Sequence, residues 1–313
     1  MVKKIATREA YGNALAEFGS DGRIVVMDAD LSKSTKTEIF KNKYPERFLN
    51  MGIAEANMMA AAAGMASCGK IVFASTFAMF ASGRAFEQIR NSICYSALNV
   101  KIGASHAGIT VGEDGASHQT IEDIAIMRVL PNMTIVSPAD AVEARAAVKA
   151  AIETDGPFYL RFGRLAVPII YDESSYKFEL GKGSVISEGT DVTIIATGYM
   201  VYHSIEAGKL LEQEGIKPRI INMHTIKPID RDIIIKAAKE TGLIVTVEEH
   251  SIIGGLGGAV AEVIVENCPV PVKRIGIQDR FGKSGKPEEL LEMYGLTANH
   301  IVQKVKEAIS GQK

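Results

Sequence analysis

The sequence predicts an α/β protein built from two open sheets of mostly parallel strands, one sheet in each of two domains. Three observations carry this expectation: short β-branched apolar runs recur along the chain, segments of helical period separate them, and the pattern breaks once near the middle. The 313 residues, 47% hydrophobic and 23% charged, suffice for a large core and two domains.

The opening segment reads as a helix that Thr7 can cap, with Ala10, Leu15 and Phe18 near one face. Apolar runs follow at 24–27, 48–50, 71–74, 100–104, 133–136 and 158–161. None alternates polar with apolar residues, so each reads as a strand buried on both faces, and the helices between them imply parallel pairing through right-handed crossovers. The stretches DESSYKFELGKG and SEGT then interrupt the periodicity. We therefore expect a first domain at 1–172, a linker at 173–189 and a second domain at 190–313. The second set comprises strands at 192–196, 219–222, 243–247 and 272–277, with helices at 202–214, 230–241, 258–267, 287–294 and 297–309. No repeat of fixed short period and no low-complexity segment occurs.

Thirty-five basic and 37 acidic side chains give a net charge of −2, and no Lys/Arg run stands out. A broad electrostatic grip on nucleic acid is not expected, so an anionic ligand must be held by a few local residues. The start, MVKKIATREAYG, carries charges where a signal peptide needs an apolar core, and the small-residue stretch 58–66 is too short to cross a bilayer. The expectation is a cytoplasmic protein without a membrane partner. Cys68, Cys94 and Cys268 lack CxxC or metal-ligand spacing, which leaves buried thiols as the reading.

In an open parallel sheet, ligands bind beyond the carboxyl ends of the strands. Residues at those ends share one chemistry: Asp28, Asp30 and Ser34 after the first run, Gly52 and Glu55 after the second, Phe77 and Phe80 after the third, and Arg164 after the last. The fourth run leads into SHAGITVGEDGASHQ, residues 105–119, where His106, Glu113, Asp114 and His118 stand among Gly108, Gly112 and Gly115. Histidines titrate near neutral pH, and the glycines let the backbone approach a ligand closely. Taken alone, the stretch fits a solvated polar loop equally well.

Glu55 opens an alanine- and methionine-rich helical stretch, GIAEANMMAAAAGMASCG. A first-turn glutamate ordinarily complements the helix dipole, but one held in an apolar crevice is suited to exchange a proton with a ring nitrogen. Phe77 and Phe80, in STFAMF, can cover the flat face of such a ring or pack in the core at helical spacing.

Through DADLSKS, RFLNMGIAEANM, STFAMF, GEDGASHQ, IEDIAIMRVLPNM and GKPEELLEMYGLT, the chain resembles, essentially end to end, the C-terminal part of transketolase. The resemblance implies a pyrimidine-binding thiamine-diphosphate fold followed by a transketolase C-terminal domain. It places Glu55 at the aminopyrimidine ring, Phe77 and Phe80 around that ring, and Asp30 near the thiazolium and the sugar. His106 and His118 fall on positions that bond the donor's carbonyl and hydroxyl groups, and Asp114 on one that recognises a sugar hydroxyl. Arg8, Ser34 and Arg164 fall on positions that hold the sugar phosphate, with Arg161 an alternative to Arg164. A forked guanidinium suits that task.

Complete transketolases also carry a GDG-to-Asn segment for the metal and the cofactor diphosphate; GEDG at 112–115 is not that segment. The resemblance thus implies a separate N-terminal subunit that carries the motif, with Mg2+ or Ca2+ held there, in a heterotetramer around a homodimeric core. The expected activity is two-carbon ketol transfer from xylulose 5-phosphate to ribose 5-phosphate. Deoxyxylulose-phosphate synthase-like chemistry, a 2-oxoacid dehydrogenase beta chain and a non-catalytic subunit are the alternatives. The cluster at 254–258 lacks a dinucleotide fingerprint and reads as tight strand-to-helix packing, while His203, His224, His250 and His300 show no ligand spacing.

Overall fold

A computed structural model describes residues 3–311. In chain order the strands of the first half are β1 (Lys4–Ala6), β2 (Ile24–Asp28), β3 (Phe48–Asn50), β4 (Ile71–Phe77), β5 (Val100–Ser105), β6 (Thr134–Val136), β7 (Phe158–Arg161) and β8 (Ala166–Pro168). Those of the second are β9 (Ser184–Ser187), β10 (Val192–Ala196), β11 (Pro218–Asn222), β12 (Thr225–Lys227), β13 (Ile244–Ser251) and β14 (Val272–Ile277). The larger sheet has the order β12-β6-β7-β5-β4-β2-β3, and the smaller β14-β13-β10-β11-β9. The protein has the α/β architecture of two open, mostly parallel sheets, in which the edge strands β12 and β9 run antiparallel to their neighbours, while β1 and β8 form a separate two-stranded antiparallel pair.

Burial on both faces explains the unbroken apolar runs: every residue of β2, β4 and β5 is buried. Helix Glu55–Ser67 lays Met58, Met59 and Ala62 against Val72 and Ile102 on one face of the larger sheet. Tyr11, Leu15, Phe73 and Phe162 fill the other. The smaller sheet is covered likewise, by Met200, Leu290 and Ile301 on one face and by Ile234 and Val260 on the other.

Four local expectations are corrected. Segment 173–189 is not a plain linker, because β9 lies within it and pairs with β11. The first sheet is not built from the first half alone, since β12 pairs with β6. Thr7 does not cap its helix; its hydroxyl accepts from the Gly163 amide at 2.9 Å, and Ala6 occupies the cap position. Of the thiols only Cys94 is buried, whereas Cys68, just past the end of helix Glu55–Ser67, is exposed.

Polar groups fill the contact between the halves. Glu143, wholly buried, accepts from the Ala139 amide at 2.7 Å, from Asn222 at 2.9 Å and from the Tyr176 hydroxyl. Burial nevertheless dominates and raises its carboxyl to about 7, against an ordinary 4.5. The folded chain therefore binds this proton more tightly than the unfolded chain, so the stabilisation is present at low pH and lost as pH rises from about 4.5 to about 7. Glu143→Gln should narrow the difference in melting temperature between pH 5 and pH 7.5, by about the contribution of one group. An unchanged difference would refute the assignment.

The glycine cluster at 254–258 has an internal explanation. The amides of Leu256 and Gly257, at the start of helix Leu256–Asn267, donate to the buried carboxylate of Glu248 at 2.7 and 2.8 Å. A Cβ on Gly255 would lie 2.0 Å from that carboxylate. The helix terminus already has its acceptor in the Glu248 side chain, which accounts for the close packing.

Candidate active site

The parallel strands of the larger sheet end on one edge, and the turns beyond them bring the candidate residues together. β4 ends at Phe77, and Phe80 follows one turn later; their rings stack with centroids 5.7 Å apart and an interplanar angle of 22°. β5 ends at Ser105, and His106 takes a left-handed backbone (φ +58°), which a non-glycine residue adopts only under local constraint. That geometry sets its imidazole 3.9 Å from the Phe77 ring. The loop returns through Gly108, Gly112 and Gly115, all at positive φ, to set His118 edge-on to Phe80 at 5.2 Å.

His106 is 4% exposed and its Nδ1 lies 3.0 Å from the Ser105 hydroxyl. Burial lowers its pKa to about 3, helped by the charges of Arg8, Arg164 and His118. Near neutral pH it is thus an uncharged imidazole, whose ring nitrogens can donate or accept a hydrogen bond without bringing a charge into the site. His118 is partly exposed, with Nδ1 3.0 Å from the Ser117 hydroxyl.

Glu55 is the first residue of helix Glu55–Ser67, and its side chain is 5% exposed. One carboxylate oxygen, Oε1, accepts from Arg84 Nη1 at 3.1 Å. The same guanidinium lies 4.0 Å over the Phe80 ring. Acid, arginine, two phenylalanines and two histidines are therefore contiguous. Arg84 is the member that sequence reading missed, although its position one turn beyond Phe80 was the available signal.

Arg8, Ser34 and Arg164 also converge. Arg8 donates from Nη1 to the Ser34 carbonyl at 2.5 Å and from Nε to the Arg164 carbonyl at 3.1 Å. Arg164 donates to the Val111 carbonyl and, at 3.3 Å, to Glu113. Burial and the neighbouring Arg164 charge both lower the proton affinity of Arg8. Two cations held close, with the exposed Glu113 as the acid on Arg164, make a locus for an anion.

Arg161 does not serve as the alternative. It is 6% exposed and points inward, with Nε 2.9 Å from Asp123 and Nη2 3.0 Å from the Glu249 carbonyl. Asp28 is likewise structural: wholly buried, it accepts from the Leu31 amide and from the Thr35 and Thr37 hydroxyls at 2.6, 2.7 and 2.9 Å. Asp30, at φ +66°, is exposed at the same sheet edge and accepts from Asn50 at 2.9 Å. Asp114 is exposed in the histidine loop.

Comparison with known proteins gives this arrangement a family. Residues 3–169 match the transketolase pyrimidine binding domain and residues 181–301 the transketolase C-terminal domain. The chain belongs to the transketolase family. Within it, the chain corresponds to the C-terminal section. A Methanocaldococcus jannaschii protein named for that section is 54% identical over 303 residues, covering 96% of this chain and 95% of its own length. An apulose-4-phosphate transketolase subunit of Phocaeicola vulgatus is 41% identical, covering 97% of this chain and 98% of its own. A split gene transketolase, solved as an inactive beta4 tetramer, is 56% identical with a TM-score of 0.90, covering 98% of this chain and 99% of its own.

The family is one of thiamine diphosphate enzymes, and the residues present fit the pyrimidine half of that cofactor. Stacked rings offer a flat apolar wall, and the buried Glu55 carboxylate keeps Oε2 without a partner among the described residues. Among the described residues, no group of three or more His, Cys, Asp or Glu side chains could hold a metal ion. No described helix is long and apolar enough to cross a membrane.

Proposed function

We propose that this chain is the C-terminal subunit of a split transketolase. It transfers a two-carbon ketol unit reversibly from a ketose phosphate, such as xylulose 5-phosphate, to an aldose phosphate, such as ribose 5-phosphate. The observation that carries the proposal is the continuous cluster from Glu55 through Arg84, Phe80 and Phe77 to His106 and His118. Its partner is an N-terminal subunit with the GDG-to-Asn motif, which holds the diphosphate and Mg2+ or Ca2+. The assembly is a heterotetramer with a homodimeric core, working in the cytoplasm. Support comes from the split-gene and subunit relatives, whose lengths this chain covers almost entirely.

When bound, thiamine diphosphate supplies a carbon nucleophile and an electron sink. Glu55 exchanges a proton with a pyrimidine nitrogen, and Phe77 and Phe80 wall that ring. Neutral His106 bonds the donor's oxygens, the more accessible His118 moves protons there, and Asp114 recognises a sugar hydroxyl. Asp30 would lie toward the thiazolium end of the cofactor and the sugar. Arg8, Arg164 and Ser34 hold the phosphate.

Co-expression with a chain that carries the GDG-to-Asn motif, followed by assay with thiamine diphosphate and Mg2+, tests the reading. Turnover of xylulose 5-phosphate with ribose 5-phosphate is the expected result. Turnover of pyruvate instead would favour the synthase or dehydrogenase alternative, and turnover of neither would overturn the enzyme assignment for these donors. In the active complex, Arg164→Ala should raise KM for phosphorylated sugars by ~10- to 100-fold, the value of one or two charge-assisted hydrogen bonds. An equal loss with unphosphorylated donors would make Arg164 structural.

A further inference from the structure

We infer that Arg84 is the positioning residue for Glu55, fixing which carboxylate oxygen faces the ligand ring and in what register with the aromatic wall. This rests on the reading of Glu55 proposed above and goes beyond it by naming the group through which that acid is aimed.

Glu55 needs such a partner. It begins its helix after Ala54, no side chain caps that terminus, and its carboxylate is almost wholly removed from water. A glutamate has three rotatable bonds, so burial alone does not fix where its two oxygens point. Arg84 is its ion-pair partner, and the contact is single-pronged: Nη1 meets Oε1 at 3.1 Å, whereas a fork would engage both oxygens. One oxygen is thereby anchored while Oε2 stays available to a ligand.

The anchor is itself held. The Arg84 guanidinium carbon lies 4.0 Å over the Phe80 ring, and Phe80 stacks on Phe77. Residues Phe80–Arg84 form a single π-helical turn, a rare winding that recurs at functional sites. Arginine is chemically specific for this double task, because a planar guanidinium can lie flat on a ring while its edge donates to a carboxylate. Arg84 is 51% exposed, so its place is not dictated by the core. What keeps it there is the pair of contacts to the acid and the ring.

Calorimetric titration of the assembled two-subunit complex tests this. Two ligands are compared: thiamine diphosphate, and an analogue in which carbon replaces the pyrimidine nitrogen facing Glu55. The wild-type complex should prefer the natural cofactor by ~10-fold or more, the value of one hydrogen bond to a charged group. Arg84→Met, which keeps the apolar stem but not the fork, should reduce this preference to within about threefold, while a merely structural effect would weaken both ligands alike. Arg84→Lys should fall between the two, and it carries the test alone if the methionine variant does not assemble. An undiminished preference in these variants overturns the inference and leaves the reading of Glu55 standing. Absence of any preference in the wild-type complex overturns the reading of Glu55, and the inference with it.

Discussion

Glu55→Gln should lower the turnover of the reconstituted enzyme by ~10²- to 10⁴-fold, the range associated with removing one general acid–base group. The substitution preserves the shape of a side chain that is 5% exposed, and the glutamine carbonyl can still accept from Arg84 at the position of Oε1. The helix therefore keeps Met58 and Met59 in the core, and the chain should assemble normally. What glutamine lacks is a proton it can give up and regain. Turnover should consequently collapse while the mass of the complex is unchanged and thiamine diphosphate still binds. Near-normal turnover would remove Glu55 from the mechanism, and loss of assembly would show that its role is architectural.

The second large effect lies in the core. Arg161→Met should destabilise the chain by about 3–5 kcal/mol, because it leaves a buried charge without its counter-ion. Asp123 is wholly buried, accepts from Arg161 at 2.9 Å and from the Tyr159 hydroxyl at 2.9 Å, and lies 3.9 Å from His250. Arg161 also donates to the Glu249 carbonyl, so one guanidinium ties the first half to the second. Urea unfolding followed by circular dichroism measures the loss. Adding Asp123→Leu should recover most of it, since two apolar side chains leave no orphaned charge. If the single variant melts like the wild type, the pair does not stabilise the fold.

The fold was legible where strands are long and buried on both faces. β2, β4, β5, β10 and β13 announce themselves as apolar runs between helical segments. β1, β8, β9 and β12 did not, because each is a short antiparallel strand outside the strand–helix alternation that marks the parallel ones. The same division holds at the site. Glu55, Phe77, Phe80, His106 and His118 follow strand ends and were legible by position. Asp28 sits at the same kind of position but is consumed by the hydroxyls and amide that follow it, a contact set that only coordinates reveal. Arg161 and Arg164 stand three residues apart, and a strand's alternation with the turn after it decides which points inward. Arg84 escaped notice because an arginine on a helical stretch ordinarily lies in solvent.

The borrowed strand β12 bears on how the molecule can be taken apart. A cut placed between the halves would not release two self-sufficient pieces: the front fragment would be left with the bare flank of β6, a rim of unspent amides and carbonyls ready to recruit a stranger. Fragments expressed separately should therefore clump, through the flank of β6 that β12 covers in the whole chain.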